Sequence, residues 1–166
     1  MIDYKDLELY IQDNYFEETY EEPEERYDGF VSFAFEHKAK KASKESLSNV
    51  IIELDESFSD TVLKLIDEKG LKDSDVYNSV NMDRRLFSKM RNNDYSPSKQ
   101  TAIALCIALK LNLEESNELL KKAGYTLSHS NMSDVIIEYF IKNEIYDLYT
   151  IDEALLHYDQ RPIGRY

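Results

Sequence analysis

Residues 102–109, Ala-Ile-Ala-Leu-Cys-Ile-Ala-Leu, are the longest uninterrupted apolar run in a chain of 166 residues. The run falls far short of the ~20 residues that a membrane-spanning helix needs. A helix that is apolar nearly all round has to be covered on every side. The run therefore predicts a central buried helix with other helices packed about it, extending through Leu109. Ser96 followed by Pro97 predicts its start, as N-cap and first helical residue. Cys106 lies inside this helix and reads as core. As the single cysteine it also excludes an internal disulfide.

The flanking segments supply the cover, in a five-helix pattern over residues 58–124. Ser59 opens a stripe of Val62, Leu63, Leu65 and Ile66, and Gly70 is the expected left-handed stop. A short helix over residues 74–80 turns Val76, Tyr77 and Val80 inward. Asn81 follows, a residue that tolerates the left-handed backbone of a sharp turn. Asp83 is the expected N-cap of a third helix to Met90, with Leu86, Phe87 and Met90 inward. Its outward residues are Arg84, Arg85, Ser88, Lys89 and Arg91. Residues 92–97 read as a turn-rich loop. Beyond the apolar helix, Asn112 and Glu115 have capping-box spacing for a fifth helix. Leu113, Leu119, Leu120 and Ala123 face inward there, and Gly124 ends it.

Two short helices, the second with a basic outer face, then a loop and an apolar helix, follow the order of a helix-turn-helix. The stretches LKLIDEKGLKDSDVYNSVNMDRRLFSKMRNN and SPSKQTAIALCIALKLNLEE resemble the lambda-repressor-like family of Cro or XRE type. In that comparison Val76-Tyr77 stands at an aliphatic-alanine pair, Asn81 at the turn glycine, Met82 at an aliphatic position and Asp83 at the cap. The resemblance implies DNA binding with the helix after Asp83 in the major groove. Arg84, Arg85, Ser88 and Lys89 would then face base edges and phosphates, while Arg91 and Lys99 would hold the DNA backbone. The chain departs from the family pattern in three places. Asp73, with Asp75 nearby, stands where a glutamine often bonds phosphate. Tyr77 replaces a small residue between the two helices, and Asp83 adds negative charge at the tip.

Charge divides the chain unevenly. The whole carries 20 basic and 33 acidic residues, a net of −13, which taken alone argues against a nucleic-acid partner. Residues 1–36 hold 12 acids and two bases, so residues 37–166 are nearly balanced at −3. Residues 83–99 carry Arg84, Arg85, Lys89, Arg91 and Lys99 against Asp83 and Asp94, a local +3. The acidic head also holds nine of the 20 aromatic residues, unlike a simple solvated tail. Residues 3–15 predict a short helix with Leu7, Tyr10 and Ile11 on one face. Residues 21–26 read as a loop and Asp28-Gly29 as a turn, while residues 30–35 stay open between strand and buried helical turn. The head suits docking to a basic protein partner, mimicry of a nucleic acid, or folding back over the basic helix. A packed subdomain or flexible arm is the plainer alternative. Residues 37–44 read as a basic linker, and Leu47, Val50, Ile51 and Leu54 as the stripe of another amphipathic helix.

Residues 125–166 predict two further helices. Ser130 or Ser133 would cap the first, which carries Val135, Ile136, Tyr139 and Phe140. Thr150 and Glu153 form a capping-box spacing for the second, with Ile151, Ala154, Leu155 and Tyr158 on one face and Tyr149 stapled on Ala154. Tyr139, Phe140, Tyr146, Tyr149 and Tyr158 are either added core or a homodimer surface.

Catalytic and metal chemistry find no footing. His37, His129 and His157 are scattered without metal-ligand spacing, and no glycine-rich phosphate loop is present. Ser128-His129-Ser130 reads as a loop, and Glu17-Glu18 and Glu24-Glu25 as solvated charge. The expectation is an all-α protein: a five-helix lambda-repressor-like helix-turn-helix bundle extended by C-terminal helices, with an acidic aromatic N-terminal region. Residues 1–45 are the acidic region and linker, 46–124 the helix-turn-helix domain, and 125–166 the helical extension. The expected activity is sequence-specific DNA binding in a transcriptional or defence-related regulator of bacterial or phage type, with no cofactor, no metal and no enzymatic activity. The alternative is a protein-interaction module that keeps the fold without DNA affinity. Lacking a membrane span and a basic-then-apolar leader, the chain is expected in the cytoplasm.

Overall fold

The structure, a computed structural model, describes residues 4–16, 56–91 and 95–164, and every regular element among them is an α-helix. The loop over residues 21–26, the Asp28-Gly29 turn, the strand or turn at 30–35, the linker and the stripe at 47–54 lie outside the described residues. So do Asn92, Asn93 and Asp94 of the turn-rich loop. The helices are α1 (Tyr4–Asn14), α2 (Phe58–Glu68), α3 (Asp73–Ser79), α4 (Arg84–Met90), α5 (Lys99–Ala108), α6 (Leu113–Lys122), α7 (Met132–Lys142) and α8 (Leu148–His157). Among the described residues no helix is long and apolar enough to cross a membrane.

Helix α5 is buried without interruption from Thr101 to Ile107. Helices α3 and α6 pack directly on it, α2 packs on α6, and α7 on α6 and α8. Helix α1 lies against α7, so the start of the acidic head belongs with the C-terminal helices. Leu7 and Ile11 supply its buried face, each burial contributing about 1.5–3 kcal/mol. The Tyr10 hydroxyl donates to Glu138 Oε1 at 2.7 Å, and the Phe16 amide to the His129 carbonyl at 3.0 Å. Burial, reinforced by the Glu138 carboxylate, pushes the Tyr10 phenol above its usual range. Phe140 is fully buried, Tyr139 nearly so, and Tyr146 and Tyr158 are half-buried, so most of the C-terminal aromatic set packs against the core. Tyr149 is the exception at 70% exposed, and it lies inside α8 and not ahead of its start, where the expected staple on Ala154 would place it.

Four helix starts differ from the sequence expectation. Ser57 caps α2 by accepting from the Asp60 amide at 3.1 Å, while Ser59 is buried in the first turn. Ser98, not Ser96, caps α5 through the Thr101 amide at 3.2 Å. The preceding Pro97 is buried, and its carbonyl accepts from the Tyr125 hydroxyl at 3.1 Å. Asn131 caps α7, leaving Ser133 to donate to Gln160. Asp147 caps α8 and binds both the amide and the hydroxyl of Thr150, at 2.9 and 2.6 Å. The expected caps Asp83 and Asn112 both form, the latter with the full reciprocal box to Glu115.

The helix ends share one device. Helices α2, α3 and α5–α8 each stop at a left-handed residue: Gly70, Asn81, Lys110, Gly124, Glu144 and Asp159. After each, the next amide reaches back five residues, as Leu111 does to the Cys106 carbonyl at 3.0 Å and Ile145 to Phe140 at 2.9 Å. Leu111 is fully buried, so the apolar residue beyond the stop helps to offset the strained backbone of Lys110.

Lys110→Gly is expected to raise stability by about 1 kcal/mol, a shift of roughly 2–4 °C in thermal unfolding followed by circular dichroism. Gly124→Ala is expected to lower it by a similar amount, because the added Cβ meets no atom within 4 Å and only the backbone is strained. Hydrogen bonds from Thr150 hold the Asp147 carboxyl below its usual range. Its stabilisation is therefore present above the unfolded carboxylate pKa and lost as pH falls through the lowered folded value. Asp147→Ala should cost about 1 kcal/mol at neutral pH. The gap from wild type should close in acid, a trend that urea melts at successive pH values will read.

Candidate nucleic-acid interface

Helices α3 and α4 meet through residues 80–83. Asn81 turns the chain at φ 49°, and the Met82 amide closes the turn on the Tyr77 carbonyl at 2.8 Å. The Asp83 carboxylate accepts from the Arg85 amide at 2.6 Å and starts α4. Phe87 and Met90 bury the inner side of α4, with Leu86 half-buried. Tyr77 packs against Phe87, ring centroids 5.7 Å apart and planes tilted by 54°. The tyrosine thus fills the space between the two helices where the resemblance expects a small residue.

The outer side carries Arg84, Arg85, Ser88 and Lys89, all exposed. The three cations among them make no ion pair to any described residue. Lys89 lies in the last turn of α4, where the helix dipole favours positive charge. Arg91 is exposed too, but its guanidinium donates to the Asp73 carboxylate in the first turn of α3. Asp73, Ser74, Tyr77, Arg84, Ser88 and Arg91 line an open polar hollow between the two helices. Over residues 73–91 four cations stand against three carboxylates, a smaller excess than residues 83–99 carry.

Lys99 stands apart from this group. Its ammonium donates to the carboxylate of Asp134, which is 3% exposed and also accepts from the Ser128 amide at 2.8 Å. The pair ties the first turn of α5 to α7. Sequence reasoning found the cationic face of α4 through its spacing. It missed Asp73 and Asp134 as partners because contacts across 18 and 35 residues leave no periodic trace. Among the described residues no group of three or more His, Cys, Asp and Glu is arranged to hold a metal ion.

No protein-family model, curated protein or solved structure matches the chain.

Lys99→Met is expected to destabilise the fold by about 2 kcal/mol. That is below the 3–5 kcal/mol of a fully buried pair, since Lys99 keeps about a third of its surface in water. Lys99→Met/Asp134→Leu should recover most of the loss, and chemical denaturation of the two variants will measure both terms. Equal stability of wild type and Lys99→Met would show that the pair holds nothing together.

Proposed function

We propose that α3, its turn and α4 act as a lambda-repressor-like helix-turn-helix, and that the protein is a sequence-specific DNA-binding regulator. One observation carries the reading. Arg84, Arg85, Ser88 and Lys89 share an exposed face of a capped helix whose opposite side is fixed in the core. Arginine can grip guanine O6 and N7 with two parallel hydrogen bonds, and lysine or serine can hold phosphate oxygens. Arg91 joins them by exchanging the Asp73 carboxylate for a phosphate. Lys99 has no part in this reading, because Asp134 retains it.

A second reading, a protein-interaction module, draws on the carboxylates beside the same face. Asp73 and Asp75 occupy the first turn of α3 and Arg91 is already neutralised. The face would then take a protein surface of mixed charge, whose cations meet Asp73 and Asp75 and whose anions meet Arg84, Arg85 and Lys89.

Titrating duplex DNA of random sequence against the protein at increasing salt separates the two. Arg84→Ala/Arg85→Ala/Lys89→Ala should flatten the slope of log affinity against log salt by about 0.9 for each phosphate contact removed, up to roughly 3. Ser88→Ala should leave the slope unchanged. The absence of binding at about 50 mM salt, or parallel slopes for wild type and the triple variant, favours the protein-interaction reading.

A further inference from the structure

We propose that residues 162–164, which follow α8, form a latch that positions the α3–α4 turn, with Asp152, Gln100 and Ile163 as its positioning residues. Asp152 of α8 is 2% exposed, and both of its carboxylate oxygens are spent on this segment. Oδ1 accepts from the Ile163 amide at 2.6 Å and Oδ2 from the Gly164 amide at 3.0 Å. On the other side Gln100 Nε2, in the first turn of α5, donates to the carbonyls of Pro162 at 2.6 Å and Ile163 at 3.3 Å. Donors and acceptors of one short stretch of backbone are thus gripped by side chains of two helices. The Ile163 side chain is 6% exposed and lines one small hollow with Val80, Met82, Leu86, Thr101 and Ala104. The segment therefore lies across that hollow from the turn that aims α4.

Packing alone does not call for this arrangement. Burying a carboxylate is costly unless its oxygens are bonded, and an apolar side chain at residue 152 would cover the same area without that cost. What Asp152 adds is direction, because two amides bonded to one carboxylate fix where Ile163 points. Direction matters here because α3 and α4 are only seven residues each. Helices that short owe their place to tertiary contacts. Leu86 and Met82, the half-buried side chains at the start of α4 and in the turn, border the hollow that Ile163 closes. With the latch seated, the cationic face is held at one angle to α5; with it released, the turn is free to open locally.

Ile163→Ala and Gln100→Ala in the full chain test this by amide hydrogen exchange. Gln100→Ala is mild, since it replaces an exposed helical residue with a strong helix former; Ile163→Ala also removes buried apolar volume, so its effect at the turn is read against the loss at the other helices. In Gln100→Ala, exchange at the Asn81, Met82 and Phe87 amides should quicken about tenfold while the Leu119, Leu120 and Ile136 amides keep wild-type protection, and in Ile163→Ala the turn should lose more protection than those three. Unchanged exchange at the turn, or an equal loss at every helix, overturns the latch. The second arm rests on the DNA reading. Ile163→Ala should weaken binding to duplex DNA about threefold to tenfold with the salt slope unchanged, because no phosphate contact is removed. Faster turn exchange with undiminished affinity overturns the link to binding. If instead the arginine and lysine variant leaves the slope unaltered, the DNA reading fails, and the exchange arm still decides the latch.

Discussion

A helix of ten residues with seven consecutive buried positions leaves its neighbours little freedom. Helix α5 has no solvent face along most of its length, so helices must surround it, and its first turn must receive whatever polar groups the burial strands. That turn is where distant parts of the chain are fastened. Lys99 reaches Asp134 of α7, Gln100 reaches the segment after α8, and the Pro97 carbonyl just ahead receives the hydroxyl of Tyr125, which follows α6. Cys106 belongs to the same logic. Burial pushes its thiol up to about 12, and its Sγ lies 3.9 Å from the Ser116 carbonyl. At that pKa the thiolate is absent at neutral pH, and the residue behaves as a small apolar side chain.

The acidic head has a comparable explanation in its first part. Its aromatic content is not solvated surface throughout. Tyr4 and Tyr10 of α1 are half-buried, with Tyr4 tilted against His157 of α8 at 4.9 Å and Tyr10 against Tyr139 of α7 at 5.3 Å. Burial raises the phenol pKa of both, with Glu153 adding to the effect at Tyr4 and Glu138 at Tyr10. Residues 4–16 are therefore committed to the C-terminal helices, which removes them from the set of segments that could reach over α4.

What the sequence made readable follows the range of the forces involved. Apolar periodicity placed α1 and α2 to α8, and local chemistry placed Asp83, Asn112, Asn81, Gly70 and Gly124, because a cap or a left-handed stop is decided within four residues. The misplaced starts show the limit of that rule. Around α5 both Ser96 and Ser98 are competent caps, and around α7 Ser130, Asn131 and Ser133 are. The choice between them falls to the offset that turns the apolar stripe inward, which is a property of the packed bundle. Lys110, Glu144 and Asp159 were unreadable as stops for a related reason. At Lys110 and Glu144 the left-handed backbone is held by the fold, with Leu111 and Ile145 packed beyond them, and not by a residue that favours it. At the candidate interface the exposed face of α4 was legible in the spacing of its arginines and lysine. The removal of Lys99 by Asp134 and the neutralisation of Arg91 by Asp73 were not, since each depends on helices folding onto one another.

Those two pairings bear unequally on the proposed function. Asp134 is buried, so separating Lys99 from it would leave an unpaired charge in the core, and no surface phosphate offsets that. Arg91 and Asp73 are both well exposed, and such a pair contributes about 0–1 kcal/mol. A phosphate brought to α4 can therefore take Arg91 at little expense, while the freed Asp73 turns to water. The acidity of the rest of the chain weighs less than its total suggests, because charges beyond about 10 Å are largely screened at 0.1 M salt. Arg84, Arg85, Lys89 and Arg91 stand on and beside α4 against Asp73, Asp75 and Asp83, with Lys72 just ahead of Asp73 and Asp83 already bonded as a helix cap. The carboxylate of Asp75, exposed in the first turn of α3, is hydrogen-bonded among the described residues only by the Ser74 hydroxyl, at 3.4 Å. Close to a bound phosphate that carboxylate opposes the cations of α4, whereas a protein surface of mixed charge can pair with both.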